Sequence, residues 1–403
     1  MNTLTAKIQE GLYYLGVNDR DTRLFENMWP LPKGVAYNAY LILDEKTCLL
    51  DTVRVNKTDG FMEGLEEVLD GRDLDYLVVN HIEPDHSGSI KPVLEKYPNL
   101  TFIGNAKTRQ MLESYLELTP GDDRFIVVKE GDTIELGERV LNFAMTPMVH
   151  WPESMVTYES TGKVLFSQDI FGGYGTLNGT IFDDQMNYDF FVDEYRRYYS
   201  NIIGKYSQMA IRALQKVEKL DIDIICPVHG CVWRKNPAKI IGDYAKWAFQ
   251  EVDGGVIIIY GSMYGTTENM ADVLARYVAE EGIRNVKVFD VSKTHASYLL
   301  SEVWKYKGLV LGSCTYNNGI YPNMDNFVNI LRMNKIKNHA LGVFGNFGWS
   351  GGAVKGLKEF MDSQQFDNCE TIVESKGALT DKENEELRQL AKEIAAKSKV
   401  DPA

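Results

Sequence analysis

The feature of this 403-residue sequence that most constrains its fold is a regular alternation of apolar strands with amphipathic helices from residue 256 onward. The pattern predicts five strands, at residues 256–260, 286–289, 309–311, 340–345 and 370–373. Five helices alternate with them, at residues 268–281, 297–306, 324–332, 353–363 and 381–396, and Thr380 with Glu383 forms a capping box for the last one. Strands separated by helices are joined by crossover connections, so they lie parallel in one sheet with helices on both faces. The sequence therefore predicts an α/β domain built on a doubly wound parallel sheet.

A second domain is expected before this alternation begins. A chain of 403 residues exceeds what one hydrophobic core usually organises. A helix predicted at residues 237–250 is followed by the glycine-containing segment 253–255, after which the alternation starts. We therefore place the boundary between residues 252 and 253, which gives domains of residues 1–252 and 253–403.

The composition makes several classes of partner unfavourable. The net charge of −14 at pH 7 and the pI near 5.0 disfavour binding to a nucleic acid or an anionic membrane. No apolar run is long enough to span a bilayer, and the first ten residues lack an apolar signal core. The five cysteines are scattered and odd in number, which favours a reducing compartment, and we interpret Cys226 and Cys231 as ordinary buried thiols rather than metal ligands. We expect a cytoplasmic protein without nucleic-acid or membrane partners.

Four potential metal ligands occur within six residues of the first domain. Strands are predicted at residues 12–17, 39–43 and 48–52, a helix at 60–69, and a strand at 74–80 that leads into the segment 81–86 (HIEPDH). In an extended loop, which Pro84 favours, alternate side chains point the same way. His81, Glu83 and Asp85 would then converge, while His86 would turn to an adjacent face. This mixture of imidazole and carboxylate suits divalent metals and offers donors for two ions, whereas the alternative is a polar loop with a helix cap.

Three more candidate ligands follow predicted strands. His150 comes after residues 140–145, Asp169 after 164–167, and His229 after 222–226. A sheet fixes the positions of residues at its strand ends while the loop exposes their side chains. A lone histidine is usually a packed or surface residue, so the shared placement is what carries this prediction.

A tyrosine-rich stretch lies between these candidates. Residues 188–220 have helical character and include Tyr195, Tyr198 and Tyr199. A tyrosine near a redox metal can donate protons or electrons, but tyrosines on a half-buried helix are usually packing residues. We keep only Tyr195 as a candidate catalytic residue.

The second domain carries a candidate phosphate site. Its first strand runs into residues 261–267 (GSMYGTT), where hydroxyls, backbone N–H groups and a helix N-terminus can bind a phosphate. The segment lacks both GxGxxG and the Gly-Lys-Ser/Thr ending of a P-loop, so a mononucleotide is favoured. Two later strand ends add loops at 313–319 and 345–352, whose aromatic and amide groups suit an isoalloxazine ring. The candidate cofactor-binding residues are Ser262, Met263, Tyr264, Gly265, Thr266, Thr267, Ser313, Thr315, Tyr316, Asn317, Asn318, Gly319, Gly345, Asn346, Phe347, Gly348, Trp349 and Gly351.

These three loops make the second domain resemble a flavodoxin, in which they hold the phosphate of FMN and enclose its ring. The alternative is a flavodoxin-like domain without flavin, as in response regulators. Those domains carry an acidic first loop, unlike the hydroxyl-rich loop here.

The first domain resembles the metallo-β-lactamase fold, an αββα sandwich. The family motif HxHxDH here is HxExDH, with Glu83 where zinc hydrolases usually carry histidine. A carboxylate adds negative charge and a harder donor, which shifts the preference from zinc towards non-haem iron. Together with the flavodoxin-like half, the whole chain resembles the flavodiiron proteins, or A-type flavoproteins. Residues 146–152, 166–169, 229–230 and 348–352 also look like signatures of that family.

The resemblance implies a ligand set and an activity. One iron would be held by His81, Glu83 and His150 and the other by Asp85, His86 and His229. Asp169 would bridge the two non-haem iron ions of each subunit. With FMN as electron donor, such a centre reduces dioxygen to water, nitric oxide to nitrous oxide, or both.

The resemblance also implies partners. The family forms head-to-tail homodimers or dimers of dimers, and Trp151 and Trp349 are candidates for the interface near the flavin. The sequence ends after the last flavodoxin-like helix, so we expect an external electron donor. Rubredoxin is the expected donor, with a reduced deazaflavin coenzyme as the alternative.

One segment departs from the family pattern. Many relatives carry Phe-His-Gly near the N-terminus, with a histidine that approaches the irons, whereas residues 24–27 here are Leu-Phe-Glu-Asn. Glu26 and Tyr195 are our candidate catalytic substitutes for that histidine. Two rival functions stay open: a zinc hydrolase with a regulatory flavin, and an electron carrier with a structural metal domain.

Overall fold

The computed structural model describes residues 4–400, which form two compact units that divide between Ala248 and Phe249. The boundary predicted between residues 252 and 253 lies a few residues further along, directly before the first strand of the second unit. No helix within residues 4–400 is long and apolar enough to cross a membrane. All five cysteines are buried and unpaired.

The first unit has sixteen short strands among its described residues. In chain order they are β1 (Ala6–Gln9), β2 (Leu12–Tyr14), β3 (Val17–Asp19), β4 (Leu24–Phe25), β5 (Trp29–Pro30), β6 (Val35–Tyr37), β7 (Tyr40–Leu43), β8 (Thr47–Leu50), β9 (Tyr76–Val78), β10 (Thr101–Gly104), β11 (Phe125–Val127), β12 (Thr133–Glu135), β13 (Val140–Met145), β14 (Met155–Glu159), β15 (Val164–Gln168) and β16 (Ile224–Pro227). Its helices are α1 (Thr58–Leu69), α2 (Pro84–Ser87), α3 (Ile90–Lys96), α4 (Ala106–Leu116), α5 (Val192–Tyr198), α6 (Ser207–Val217) and α7 (Pro237–Phe249).

Two sheets form the core of this unit. The first has the order β1-β2-β7-β8-β9-β10-β11 and the second the order β12-β13-β14-β15-β16. The sheets pack face to face, as the 5.5 Å contact between the rings of Tyr40 on β7 and Phe166 on β15 illustrates. Strands β8, β15 and β16 are buried along their whole length, which is consistent with the mainly apolar residues they contain. The predicted αββα class is confirmed.

The prediction that residues 81–86 form an extended loop is correct only for the first half of the segment. Glu83 is extended (φ −53°, ψ 141°), as expected before a proline, but Pro84 begins the helical turn α2 and occupies its first position. Proline fits that position because its fixed φ suits a helix and its missing N–H would have no intrahelical partner there. The helical turn therefore directs the side chains of Asp85 and His86 to a different group of ligands from those of His81 and Glu83.

Other predicted elements differ in extent. The single strand predicted at 12–17 divides into β2 and β3, which belong to different sheets. The helical stretch predicted at 188–220 begins with a 3₁₀ turn at Tyr188–Phe190. It continues with α5, a π-helical segment Tyr199–Ile203, a second 3₁₀ turn at Gly204–Tyr206 and α6. Helix α4 and strands β10, β11, β12 and β14 were not predicted from the sequence.

The second unit is a parallel α/β sheet. Its strands are β17 (Asp253–Gly261), β18 (Val286–Asp290), β19 (Tyr306–Tyr316), β20 (Gly319–Ile320), β21 (Ala340–Phe347) and β22 (Asp367–Lys376). Its helices are α8 (Thr266–Glu280), α9 (Ala296–Val303), α10 (Pro322–Asn334), α11 (Ala353–Ser363) and α12 (Asp381–Ser398). Thr380 and Glu383 form the predicted capping box at the start of α12.

The strand order explains where a ligand can bind in this unit. The sheet order is β18-β17-β19-β21-β22, all parallel, with β20 antiparallel to β19. Gly261 at the end of β17 pairs with Ser313 on β19, which pairs with Gly345 on β21. The three loops predicted to bind a cofactor therefore follow neighbouring strands at the point where the winding direction reverses, which is where doubly wound sheets bind ligands. The predicted doubly wound sheet is confirmed.

Candidate metal centre and cofactor loops

All seven predicted metal ligands of the first unit are buried at the ends of its sheets. They come from four loops, and the exposed fraction of each residue is 8% or less. The loop after β9 supplies four of them, and the loops after β13, β15 and β16 supply the others. The seven are His81, Glu83, Asp85, His86, His150, Asp169 and His229.

His81, Glu83, His150 and Asp169 form one group around a common point. Oε2 of Glu83 lies 3.2 Å from Nε2 of His81 and 2.9 Å from Nε2 of His150. Oδ2 of Asp169 lies 3.2 Å from the same nitrogen of His81 and 3.5 Å from that of His150. Two imidazole nitrogens and two carboxylate oxygens therefore converge as the donors of one ion would.

The second group has the same character. Oδ2 of Asp85 lies 3.4 Å from Nε2 of both His86 and His229. Oδ1 of Asp169 lies 3.4 Å and 3.6 Å from those two nitrogens. Asp169 thus directs one carboxylate oxygen to each group, which is the arrangement of a carboxylate that bridges two metal ions.

The donor atoms fit a pair of divalent cations. Both carboxylate oxygens of Asp85, Oδ2 of Asp169 and Nε2 of His86 and His229 are buried without a hydrogen-bond partner among the described residues. Buried polar atoms of this kind are costly unless something satisfies them. Four neutral imidazoles and three carboxylates also nearly balance the charge of two divalent ions.

Electrostatics in the cluster favour cation binding. Burial lowers the pKa of His81, but the carboxylates of Asp169 and Glu153 raise it by more, so it lies well above the usual range. The same balance, with Asp85 as the main carboxylate, raises the pKa of His86 to about 9. Burial raises the pKa of Asp169, but His81 and His86 hold it well below its usual range. A metal ion that binds here displaces protons from the histidines.

Sequence reasoning missed the groups that orient the ligands. Nδ1 of His81 lies 2.7 Å from Oε1 of the buried Glu153, which also accepts a hydrogen bond from the N–H of Ile82 at 3.0 Å. Nδ1 of His229 lies 2.8 Å from the carbonyl oxygen of Ala36. Such partners fix the tautomer and the orientation of a metal-binding imidazole. The position of Glu153 three residues after His150 was the only signal in the sequence.

The tyrosine that contacts the cluster is Tyr198, not the predicted Tyr195. The Tyr198 hydroxyl donates to Oδ1 of Asp169 at 2.8 Å. The Tyr195 hydroxyl instead accepts a hydrogen bond from the N–H of Cys231 at 2.9 Å and packs close to Gly230. The two residues are three positions apart on α5, so only the rotation of the helix distinguishes them. The catalytic role assigned to Tyr195 stays a prediction, and its contacts are those of a packing residue.

Glu26 lies on the β4–β5 hairpin near the cluster. Its Oε2 accepts a hydrogen bond from Nε1 of Trp29 at 3.0 Å. Glu26 as a whole is exposed, but its carboxyl group is surrounded closely enough that burial, together with the nearby Glu83, raises its pKa to about 6. The neighbouring Phe25 packs edge-on against the imidazole of His229, with 5.5 Å between the ring centroids.

The first loop of the second unit has the features of a phosphate site. Gly265 caps the 15-residue helix α8 with φ +93°, and no atom lies within 4 Å of the position its Cβ would take. Its N–H donates to Oγ of Ser262 at 3.1 Å, which closes the turn. The Thr267 hydroxyl is buried without a partner among the described residues. An open turn at a helix N-terminus with an unsatisfied hydroxyl fits the phosphate of FMN.

The loops also present flat aromatic surfaces. Tyr264 and Trp349 are 93% and 92% exposed, and Met263 and Tyr316 are 41% and 43% exposed. Asn317 and Asn318 have positive φ and form the two-residue turn between β19 and β20. Exposed rings beside a tight polar turn are suited to a planar heterocycle such as isoalloxazine.

Other predicted cofactor residues hold the loops in shape. The buried Ser313 hydroxyl donates to the carbonyl of Cys314 at 2.8 Å, and Asn346 donates to the carbonyl of Gly377 at 2.7 Å. Oγ1 of Thr315 accepts a hydrogen bond from the N–H of Ala353 at 3.2 Å. Contact of Ser313, Thr315 and Asn346 with a cofactor stays a prediction.

Comparison with known families gives the class of protein that the fold and the cluster indicate. The family described as ODP family beta lactamase matches residues 35–230, and the flavodoxin family matches residues 258–392. A metallo-β-lactamase-like unit with a two-metal ligand set, followed by a flavodoxin unit, defines the class of flavin-linked two-metal oxidoreductases.

Similar proteins identify the family. The chain is 34% identical to a rubredoxin-oxygen oxidoreductase of Megalodesulfovibrio gigas over 394 residues, which covers 97% of each chain. It is 34% identical to a nitric oxide reductase of Moorella thermoacetica over 355 residues, 87% of this chain and 88% of that protein. The crystal structure of the flavodiiron protein from Giardia intestinalis superimposes with a TM-score of 0.92 at 25% identity and covers 98% of this chain and 97% of that chain. The chain belongs to the flavodiiron protein family, whose cofactors are FMN and two non-haem iron ions.

Proposed function

We propose that this protein is an oxidoreductase that reduces dioxygen to water, nitric oxide to nitrous oxide, or both, with electrons that pass from FMN to the diiron centre. The observation that carries the proposal is the carboxylate of Asp169, which directs Oδ2 to one group of ligands and Oδ1 to the other. With one carboxylate oxygen directed to each group, Asp169 would hold two ions side by side, where both could act on one diatomic molecule. When bound, FMN accepts electron pairs and releases them singly, and the irons supply electrons to the diatomic.

The side chains of the centre divide the work of holding two ions. We assign His81, Glu83 and His150 to the first iron and Asp85, His86 and His229 to the second, with Asp169 between them. Glu153 fixes the ring of His81 through Nδ1, so that Nε2 is free for the metal. Phe25 packs on His229 and keeps water from that side of the centre.

Proton supply is the role we propose for Glu26. Its raised pKa of about 6 allows the carboxyl group to hold a proton in weakly acidic solution and to release it near neutral pH. The hydrogen bond from Trp29 keeps Oε2 in a fixed position. Glu26 then takes the place of the histidine that many relatives carry in this segment.

The Glu26→Gln variant tests this role. If protonated Glu26 supplies a proton, turnover of the parent falls as pH rises through about 6, because the donor form is lost. The variant, which cannot ionise, lacks that inflection and turns over more slowly. Glu45→Gln, at an exposed carboxylate in the β7–β8 turn, is the control. If Glu26→Gln had the same turnover and the same pH profile as the parent, Glu26 would have no role in proton supply.

The electron donor and the assembly are also proposals. We propose an external donor, rubredoxin, with a reduced deazaflavin coenzyme as the alternative, because a relative is named rubredoxin-oxygen oxidoreductase. A head-to-tail homodimer would bring the FMN of one subunit to the irons of the other, with Trp151 and the exposed Trp349 near that interface.

The central experiment measures dioxygen and nitric oxide consumption by iron-loaded, FMN-loaded protein with reduced rubredoxin, in matched anaerobic preparations. We expect turnover of at least one gas and two irons per chain. Stoichiometric zinc together with thioester or lactam hydrolysis would contradict the proposal in favour of a zinc hydrolase. Reducible FMN without consumption of either gas would favour an electron carrier.

A further inference from the structure

Trp151 lies between the metal ligands and the protein surface. Its ring centroid is 5.4 Å from that of His81, with the rings perpendicular at 88°, and 6.3 Å from that of His150. Its backbone is fixed, because its carbonyl accepts a hydrogen bond from the N–H of Met148 at 2.7 Å and its N–H donates to Oγ of Ser154 at 3.3 Å. The indole is therefore held against two ligands of the same iron.

Tyr115 continues this contact towards solvent. Its ring centroid lies 5.3 Å from that of Trp151, and the residue is 51% exposed in the single subunit. Helix α4, which carries Tyr115, is tied to the turn that carries Trp151, because Asn105 caps the helix and its Nδ2 donates to the carbonyl of Glu153 at 2.5 Å. A continuous series of ring contacts therefore leads from His81 through the indole of Trp151 to the exposed phenol of Tyr115.

We propose that Trp151 and Tyr115 form an electron-transfer route that supplies the metal centre with an electron when the flavin cannot, and so carries an oxidising equivalent to the surface. The inference rests on the proposed reduction of dioxygen. Indole and phenol groups yield electrons only to strong oxidants, so the pair does not serve the ordinary flow from reduced flavin. It fits a site where incomplete reduction of dioxygen leaves a strong oxidant among buried side chains.

The electron balance defines the steps. Reduction of dioxygen to two waters takes four electrons and four protons, and the route acts when one electron is missing. Trp151 gives one electron and becomes a radical cation. Tyr115 then reduces the indole and releases its phenolic proton to water, which leaves a neutral tyrosyl radical. A small-molecule thiol returns one hydrogen atom to that radical, and two resulting thiyl radicals combine as a disulfide.

The exposed end distinguishes this pair from the other aromatic residues near the cluster. Tyr198 also contacts a ligand, through Asp169, but it is completely buried. Its ring neighbours Phe25 and Tyr174 are 4% and 1% exposed. A radical formed on Tyr198 would stay inside the protein, whereas one formed on Tyr115 can be quenched by a soluble reductant.

The test treats iron-loaded, FMN-loaded protein with dioxygen at limiting reductant and, separately, with hydrogen peroxide. The measurements are freeze-quench electron paramagnetic resonance and peptide mass spectrometry of oxidised residues. We expect a tyrosyl signal and oxidation at Tyr115. Tyr115→Phe should lose the tyrosyl signal and increase oxidation of Trp151, and Trp151→Phe should lose the oxidation of Tyr115. Tyr13→Phe, at a half-buried tyrosine on β2, should leave both unchanged.

Two results would contradict the proposed electron-transfer route. Oxidation of Tyr115 no greater than that of Tyr13, or oxidation that persists in Trp151→Phe, would overturn the route. If Trp151→Phe does not fold, the surface variant Tyr115→Phe still decides, because a tyrosyl signal that it retains cannot come from Tyr115. The peroxide experiment does not need dioxygen turnover, so it separates failure of the route from failure of the proposed function.

Discussion

Glu153 lies outside the ligand set but contacts the ligand loop at two points. Its carboxylate holds His81 by Nδ1 and also binds the backbone of Ile82, so it fixes both the ring and the start of the ligand loop. Partners of this kind determine ligand basicity and orientation as well as tautomer.

The Glu153→Gln variant should lower iron affinity by about 10- to 100-fold, because an amide oxygen is a weaker acceptor than a carboxylate for the His81 N–H. The measurement is competition with a chelator of known affinity. Glu159→Gln is the control, since Glu159 is also buried but its partners are the guanidinium of Arg139 and the N–H groups of Thr161 and Gly162, none of which is a metal ligand. Equal iron affinity in Glu153→Gln and the parent would contradict the role of Glu153.

Substitutions of the neighbouring residues Tyr195 and Tyr198 should affect different quantities: folding stability for Tyr195 and iron affinity for Tyr198. Tyr198→Phe removes the donor to Asp169 and should lower iron affinity by about tenfold or more. Tyr195→Phe leaves the N–H of Cys231 without its acceptor and should lower the free energy of unfolding by about 1–3 kcal/mol with iron affinity unchanged. Chelator competition and urea unfolding measure the two quantities. Tyr199→Phe is the control for iron affinity, because the buried Tyr199 hydroxyl pairs with Oγ of Ser207 and not with a ligand. Loss of iron affinity in Tyr195→Phe would restore that residue as a candidate at the centre.

At the scale of elements, the ligand loop after β9 combines two conformations. Extended backbone up to Glu83 and a helical turn from Pro84 send successive ligands to different ions. A single extended strand would direct His81, Glu83 and Asp85 to the same side. The proline therefore divides one short segment between two metal sites.

The turn before α8 permits a test of the phosphate site. Gly265→Ala places a Cβ on a residue with φ +93°, which should cost about 1–3 kcal/mol of folding stability and weaken FMN binding. Gly282→Ala is the matched control, because Gly282 follows the same helix with φ +90° and equally open space around its Cβ position. Thermal unfolding and FMN titration measure the effects. Equal FMN affinity in the two variants would argue against phosphate binding at this turn.

At the scale of the whole molecule, two compact units carry separate cofactors. All seven proposed iron ligands lie in the first unit, and the three proposed FMN loops lie in the second. A ligand stabilises the folded state of the unit that binds it, by about 2.7 kcal/mol at 100 times its dissociation constant.

Calorimetry of the full chain should therefore give two responses. Removal of iron with a chelator should lower one transition temperature, and removal of FMN should lower the other. Limited proteolysis near residues 249–255 would locate the boundary that we propose between residues 252 and 253. If iron removal lowered both transitions equally, unfolding of the two units would be coupled.

The sequence by itself determined the doubly wound sheet, because apolar periodicity and helix length report local structure directly. It also determined all seven candidate ligands, because strand ends are recognisable and few buried strands end in histidine or carboxylate. The phosphate turn was recognisable for the same reason, through small residues before a helix.

Only the tertiary structure decided how these ligands are grouped and which residues support them. The helical turn at Pro84 places Asp85 in a different ligand group from His81. The rotation of α5 determines that Tyr198, and not Tyr195, contacts Asp169. The partnership of Glu153 with His81 and the contact of Trp151 with Tyr115 join segments distant in sequence. Such pairings follow from packing of the two sheets and their loops, which no local pattern encodes.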